Sequence, residues 1–319
     1  MYDQTKCAVI VNGKVTEWFQ VKTGVRQGCL LSPSLFNIFL EFVMADVKNL
    51  DSGVQMGGIR FNNIRYADDT TLLELIYDKL QISTNKLVEV CGKWGMKINT
   101  AKCRIMTTDD GETSIDGNPI EKVEDFVFLG SVVPSVTKDV KRRTNLASWA
   151  FGRLRNNIWT NQDISRALKV RIYNALIRPI ATYGSETWTL RKTDRDKLET
   201  FEMRCLRTIA GVHLLDKIRS VDIRKSLKIS KTINEEISNR RLKWFGHVVR
   251  MPQERLPIQV HTNDFTVPRP PGRPPLRWKD QIRQDSGLSL EAAQHQAQDR
   301  NEWRQTTRRS ARGHSVLST

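Results

Sequence analysis

The sequence predicts an α+β protein whose mixed first part gives way to a mostly helical remainder. Three observations lead there. Short alternating apolar runs broken by turn residues recur through residues 7–133, with helical stretches between them. From Asp139 onward the apolar residues fall at helical spacing instead. The charge also shifts: residues 1–110 hold 13 Lys+Arg against 12 Asp+Glu, and residues 111–319 hold 38 against 23. A basic surface of that size commonly meets a polyanion, nucleic acid foremost, with plain solubility as the bland alternative.

Each element follows in order. Residues 7–22, CAVIVNGKVTEWFQVK, read as two short strands around an NGK turn. Ser32 suits an N-cap with Pro33 at the first helical position. Leu35, Phe36, Phe39, Leu40, Val43, Met44 and Val47 then form one apolar stripe, with Gly53 as the stop. IRFNNIRY and TTLLEL flank Ala67–Asp68 as the arms of a hairpin. A helix over 77–94 carries Leu80, Leu87, Val90, Cys91 and Trp94 and ends at Gly95. KINTAKCRIM (97–106) reads as turn-to-strand, SIDGNPIEK (114–122) contains a DGNP turn, and FVFLGSVV (126–133) reads as strand.

Helices follow at 139–158 (Val140, Ala147, Phe151, Leu154, Ile158 inward), at 163–178 (Ile164, Leu168, Ile172, Leu176 inward) and at 194–210 (Leu198, Phe201, Cys205, Leu206, Ile209 inward). Thr232 and Glu235 make a capping box ahead of a helix in which Trp244 and Phe245 occupy the apolar face. VPRPPGRPPLRW is a basic, extended linker, and one last polar helix spans roughly 289–309. The expected divisions are 1–135, 136–215 and 216–319, with the linker near 267–276.

Five cysteines without a CxxC pair argue for a reduced, intracellular setting over a disulfide framework. The five histidines match no zinc-finger spacing. No run of about twenty apolar residues exists to serve as a transmembrane helix, and no signal peptide is recognisable.

RYADDTTLLE (65–74) raises the chemical question. Asp is a common turn residue because it bonds its own backbone and tolerates unusual φ. Paired carboxylates are also hard oxygen ligands for magnesium, which wants one or two of them plus substrate phosphates. Four letters leave both readings open.

The order TGVRQGCLLSP, YADD, WGMKINTAKC, FVFLG resembles the reverse transcriptases of non-LTR, LINE-like retrotransposons. ALIRPIATYGSETW, RRLKWFGHVVRM and GRPPLRWKDQI are similar to the downstream region of the RTE-type elements. The resemblance implies a polymerase palm in the first division, a helical thumb in the second and RNA-directed DNA synthesis by two-metal catalysis. Asp68 and Asp69 would hold Mg2+ or Mn2+, and Tyr66 would pack beside the primer end. Arg26, Gln27 and Gly28 would lie against the incoming nucleotide and template. Lys102 would protonate the leaving pyrophosphate, and Phe128, Leu129 and Gly130 would form the primer grip. RNA template, DNA primer and deoxynucleoside triphosphates are the implied partners, and the nucleus is the implied location; no membrane is expected.

One departure stands out. These enzymes use a third carboxylate on a strand before the RQG motif, and Asp3 is the sole Asp there. The expectation is therefore a truncated palm, inactive alone. A non-catalytic nucleic-acid-binding remnant is the alternative, and a core that does not fold stably, with the 35–47 stripe left exposed, is a third.

Overall fold

The computed structural model describes residues 5–21, 24–56, 58–108, 110–263 and 276–313. It divides into two compact units, Met1–Glu124 and Asp125–Thr319. The expected linker near 267–276 falls almost wholly outside the described residues.

The first unit is α+β. Its strands are short and pair only two by two. β1 (Lys6–Cys7) pairs with β4 (Phe19–Gln20), and between them β2 (Ile10–Val11) and β3 (Lys14–Val15) form a tight hairpin. Asn12 and Gly13 turn that hairpin at φ 50° and 78°, the type I′ signature. α1 spans Ser32–Lys48. β5 (Val54–Met56) pairs with β6 (Ile59–Phe61), and β7 (Asn63–Tyr66) with β8 (Asp69–Leu72). α2 spans Tyr77–Lys93, followed by β9 (Arg104–Ile105), β10 (Ser114–Ile115), β11 (Asn118–Pro119) and β12 (Glu121–Lys122). β10–β11 is a hairpin, whereas β12 joins β9 in parallel, which the reading of antiparallel hairpins did not foresee.

α1 and α2 supply the core of this unit. Leu40, Val43, Met44 and Val47 are buried against Val90 and Cys91, with Phe36, Phe39 and Leu87 partly covered. Leu35 lies outside that stripe, 41% exposed. α2 stops where Gly95 takes φ 71° and Met96 N–H reaches back to the Cys91 carbonyl at 2.8 Å, closing a Schellman turn.

Two helix-end expectations need correction. Ser32 is the first helical residue, and its hydroxyl donates to the Arg26 carbonyl at 2.7 Å, tying the preceding loop down instead of capping. Gly53 does not stop α1, which ends at Lys48. It sits at φ 109° where a Cβ would lie 2.4 Å from the Phe61 carbonyl oxygen. The glycine is there so that two backbones can touch.

The second unit is helical apart from one hairpin, β13 (Phe126–Phe128) with β14 (Ser131–Val133). FVFLGSVV is thus two strands and not one, because Leu129 and Gly130 adopt φ 47° and 85°. Ser135 caps α3 (Val136–Arg153), which continues into a π-helical turn at Arg155–Trp159. Trp159 stacks on Phe151 with ring centres 4.5 Å apart. α4 (Arg166–Ile172) and α5 (Arg178–Ala181) flank a second π turn at Tyr173–Ile177.

That region corrects the expected stripe. Tyr173, Ile177 and Ala181 are buried with the Lys169 stem, while Leu168 and Leu176 are 44% and 52% exposed. Of the predicted 164-168-172-176 row, Ile164 and Ile172 are half-buried and Ile172 packs on the core, but the fully buried row is offset by one residue. The aliphatic part of a lysine and a tyrosine ring can pack as well as leucine does, which apolar counting overlooks.

α6 (Lys192–Ala210) buries all five expected residues. α7 (Ser220–Ser226) and α8 (Ile233–Val249) follow, with the Thr232–Glu235 capping box formed in both directions. α9 (Leu256–Thr262) and α10 (Trp278–Ser286) come next. The expected last helix is two, α11 (Leu290–Gln298) and α12 (Arg300–Gly313). Asp299 breaks them apart, its carboxylate accepting from the N–H groups of Asn301 and Glu302 at 2.7 and 2.9 Å. Those bonds hold its pKa below the usual aspartate value.

Two clusters form the core here. One gathers residues from α3 through the start of α8; the other packs α8 against α10, α11 and α12. Phe245 is fully buried at the centre of the latter, among His261, Trp278 and Trp303. Trp244 is only half-buried, so the pair splits between core and surface.

Candidate active site

The site is best built from α1 outward. Asn62, just before β7, donates its side-chain amide to the Val47 carbonyl at 2.8 Å and contacts that of Lys48 at 3.4 Å. These carbonyls lie in the last turn of α1, where the helix runs out of its own donors; that of Val47 also accepts from Leu50 N–H at 3.3 Å. Three residues on, the Arg65 guanidinium donates to Glu41 at 2.8 Å. Glu41 also accepts from Lys48 at 2.5 Å, and that bond foremost lowers its pKa, with Arg65 assisting. Glu74, at the far end of β8, accepts from Gly53 N–H at 2.6 Å and from Ser83 at 2.6 Å. The base of the β7–β8 hairpin is therefore bolted to α1 and α2.

These bonds also fix a direction. From Asn62 to Arg65 the strand advances roughly 10 Å at about 3.3 Å per residue. From Val47 to Glu41 the helix recedes roughly 9 Å at about 1.5 Å per residue. The hairpin runs back along α1, and its tip lies toward the end of the helix at which the Arg26–Gln27–Gly28 loop enters.

At that tip Tyr66 and Asp69 are register partners, and Ala67–Asp68 make the two-residue turn. The turn matches the sequence reading, yet its strain falls elsewhere. Ala67 has φ 52°, and Asp68 does not have positive φ. Alanine is a poor choice for that conformation, so the aspartates are not present to ease the backbone. Both are exposed, and among the described residues neither carboxylate is held by a hydrogen bond or ion pair. Two unengaged carboxylates side by side on a braced hairpin suit a hard cation that keeps several waters and takes other ligands from phosphate oxygens. No group of three His, Cys, Asp or Glu that could hold a metal occurs among the described residues, and Asp3 lies outside them.

The loop before α1 is a second feature. Cys29 N–H bonds the Arg26 carbonyl at 3.3 Å, and Gly28 takes φ 83° at the third position, the pattern of a type II turn. Open space surrounds the position of a Gly28 Cβ, and Arg26 and Gln27 are exposed. Lys102 closes a 3-10 turn at Thr100–Lys102, also exposed.

Phe128, Leu129 and Gly130 belong to the second unit. Their turn is held by groups the sequence reading did not single out. Arg142 donates to the Gly130 carbonyl at 3.0 Å, Arg143 donates to the same oxygen, and the Tyr183 hydroxyl donates to the Leu129 carbonyl at 2.9 Å. The Arg143 guanidinium also lies over the Tyr183 ring, 4.1 Å from its centre. Buried Asp139 accepts from Val132 N–H and from the Trp188 indole, at 3.0 and 2.9 Å. The adjacent arginines were the local signal; the Tyr183–Leu129 and Trp188–Asp139 bonds join residues 54 and 49 positions apart, which no periodicity reports.

Comparison with known proteins decides the domain. Residues 2–133 match the family described as Reverse transcriptase (RNA-dependent DNA polymerase). By that match residues 2–133 are a reverse transcriptase domain. The chain is 25% identical over 278 residues to a putative uncharacterized transposon-derived protein of Caenorhabditis elegans, covering 81% of this chain and 99% of that one. It is 24% identical over 245 residues to the RNA-directed DNA polymerase from mobile element jockey of Drosophila funebris, covering 72% of this chain but 26% of that protein. A Pol polyprotein from the type-1 retrotransposable element R2 of Popillia japonica is 26% identical over 204 residues, 59% of this chain and 33% of the relative. The chain thus spans about a quarter to a third of the length of these two polymerase relatives. No helix among the described residues is long and apolar enough to cross a membrane.

Proposed function

We propose that this reverse transcriptase domain performs, or is built to perform, metal-dependent nucleotidyl transfer at the Asp68–Asp69 turn, with an RNA template, a DNA primer and deoxynucleoside triphosphates as substrates. The observation that carries the reading is the pair of exposed, unengaged carboxylates on a hairpin whose base is tied to two helices. Rigid support matters because catalysis of this kind depends on positioning and charge stabilisation more than on covalent chemistry.

The roles are those the resemblance implies. Asp68 and Asp69 would hold Mg2+ or Mn2+, which when bound lowers the charge on the triphosphate and favours the attacking 3′-hydroxylate. The type II turn at Gln27–Gly28 offers backbone open to a base or sugar, and Arg26 offers a cation for phosphate. α1 begins beside it with no acidic residue in its first turn, so its dipole favours an anion there. Tyr66, 66% exposed and next to the turn, can pack against a primer terminus. Lys102 can supply a proton to the departing pyrophosphate. The braced Phe128–Gly130 turn supports the primer-grip reading, and the basic helices beyond it support a thumb. The downstream phrases that resemble RTE-type elements support that subgroup.

Two carboxylates hold a metal less firmly than three, so the 319-residue chain alone is expected to bind metal without extending a primer at a useful rate. Mn2+ binding followed by electron paramagnetic resonance, with primer–template and a non-hydrolysable nucleotide present, tests the site. Asp68→Asn should abolish substrate-dependent Mn2+ binding. Equal binding by the variant would sink the proposal. Primer extension abolished by Asp68→Asn would support the site while overturning the expected inactivity.

The second reading is nucleic-acid binding without catalysis. The charge of the second unit favours it: residues 125–319 hold 37 Lys+Arg against 19 Asp+Glu.

A further inference from the structure

We propose that the solvent face of α3 is a binding site for single-stranded nucleic acid, with Trp149 as the platform on which an unpaired base stacks. The site belongs to the second unit, and the aspartate turn to the first. It rests on the nucleic-acid part of the functional reading but not on catalysis.

α3 has two faces of opposite character. Val140, Arg143, Ala147 and Phe151 are turned into the unit. Lys138, Lys141, Asn145, Leu146, Trp149 and Arg153 recur three or four residues apart along the opposite side, all exposed. The helix has one carboxylate, Asp139, and it is buried under Val132 and Trp188. The exposed face therefore carries cations and no anion of its own, although Lys138 is ion-paired with Asp125 from just before β13.

Trp149 is the anomaly on that face. It is 64% exposed, and Leu146 one turn before it is 39% exposed. The core has already taken its own large rings from this region, as Phe151 and Trp159 stack on each other inside. The Arg153 guanidinium lies over the Trp149 ring, 4.8 Å from its centre. A cation held on one face of an indole leaves the other face for a base, and Arg153 remains close enough to meet the neighbouring phosphate.

The neighbouring helix extends the basic surface. Arg204 of α6 is exposed and donates to the Ser148 hydroxyl at 2.5 Å, beside Trp149. Asp196, an exposed carboxylate of α6, lies eight residues from Arg204, about 12 Å along the axis. An exposed aromatic could equally meet a protein partner. The ring of cations and the 37-to-19 imbalance of the unit favour a polyanion. Stacking, as distinct from phosphate tracking alone, favours bases that are not already paired.

The test is fluorescence anisotropy on the full chain with a labelled oligothymidylate about twelve nucleotides long, within one single-strand site size. An abasic oligomer of the same length serves as the partner probe. Trp149→Ala is expected to weaken oligothymidylate binding about 5- to 100-fold, the range found for losing one stacked base, with the salt dependence unchanged. Trp149→Phe should restore most of it. The abasic oligomer should bind wild type weakly and be indifferent to Trp149→Ala. Arg204→Ala should lower the slope of log affinity against log salt by about 1.

Equal binding of the two oligomers by wild type, or wild-type affinity in Trp149→Ala, would overturn the proposal. So would Trp149→Ala dissociating an oligomer of the chain, seen by sedimentation, with oligonucleotide affinity intact. Because Trp149 is mostly in solvent, an unchanged thermal melt shows that a loss is not unfolding. The titrations are made in EDTA without nucleotide, so failure of the metal site and failure of this surface are read separately.

Discussion

The two units of this chain spend their apolar residues differently. Among the described residues of the first unit the buried apolar cluster is six residues on α1 and α2, and Trp18, Leu30, Phe42, Tyr66 and Leu75 are each at least 65% exposed. In residues 125–319 two clusters bury twenty and seven residues. Their charges differ as well: 14 Lys+Arg against 16 Asp+Glu in the first, 37 against 19 in the second. A small apolar core stabilises a unit little, since conformational entropy is lost by every ordered residue while only a small fraction of the surface is buried in return. The unit holding the paired carboxylates is thus the weakly supported one. The basic unit is the stable body.

The broadest prediction breaks that comparison directly. Urea unfolding should proceed in two steps, with the first unit lost first, and limited proteolysis should leave a fragment beginning near residue 125. A single cooperative transition seen alike by tryptophan fluorescence and circular dichroism would refute it.

Within the second unit the largest single effects should come from buried partners. Arg241 is fully buried and ion-paired with buried Asp285, whose other oxygen accepts from Ser238 at 2.9 Å. Arg241→Met removes a buried ion-pair partner from that carboxylate and should cost roughly 3–5 kcal/mol by denaturant titration. Phe245→Ala should cost a similar amount, about 3–5 kcal/mol, by emptying the ring site among His261, Trp278 and Trp303.

In the first unit Gly53→Ala should be the sharpest probe. Its φ of 109° alone costs an alanine roughly 1–3 kcal/mol, and the Cβ also meets the Phe61 backbone. The early urea step should move to lower denaturant while the late one stays fixed. Movement of both would show that the units are coupled. Thr232→Ala removes one side of a capping box and should cost about 1 kcal/mol in the late step.

The smallest effect is electrostatic. Glu41 has a folded pKa below its unfolded value, through Lys48 first and Arg65 after. Its contribution is present above the unfolded pKa and fades as pH falls through the folded one. Glu41→Gln should therefore lower the stability of the early step by a few tenths of a kcal/mol near neutral pH, and by less in acid. An effect that grew in acid would contradict this assignment.

Much was legible locally. The stripes of α1, α2 and α6, the Thr232 box, and the turns at Asn12–Gly13, Ala67–Asp68 and Asp116–Gly117 follow from neighbours within one or two helical turns. The paired aspartates were legible as residues, and the motif order as a resemblance. The offset row at Lys169, Tyr173 and Ile177 was not legible, because a period near four fits two adjacent rows and only the facing surface selects one.

The sequence by itself determined the α+β-then-helical order, the charge imbalance and the reverse transcriptase motifs, because propensity, capping and charge act within a few residues. Only the tertiary structure decided that Gly53 is a point of backbone contact, that Asn62 closes α1, that Arg142, Arg143 and Tyr183 hold the Leu129–Gly130 turn, and that Trp149 stays outside. Each depends on which distant surfaces meet. Burial and hydrogen-bond satisfaction settle that for the folded chain as a whole.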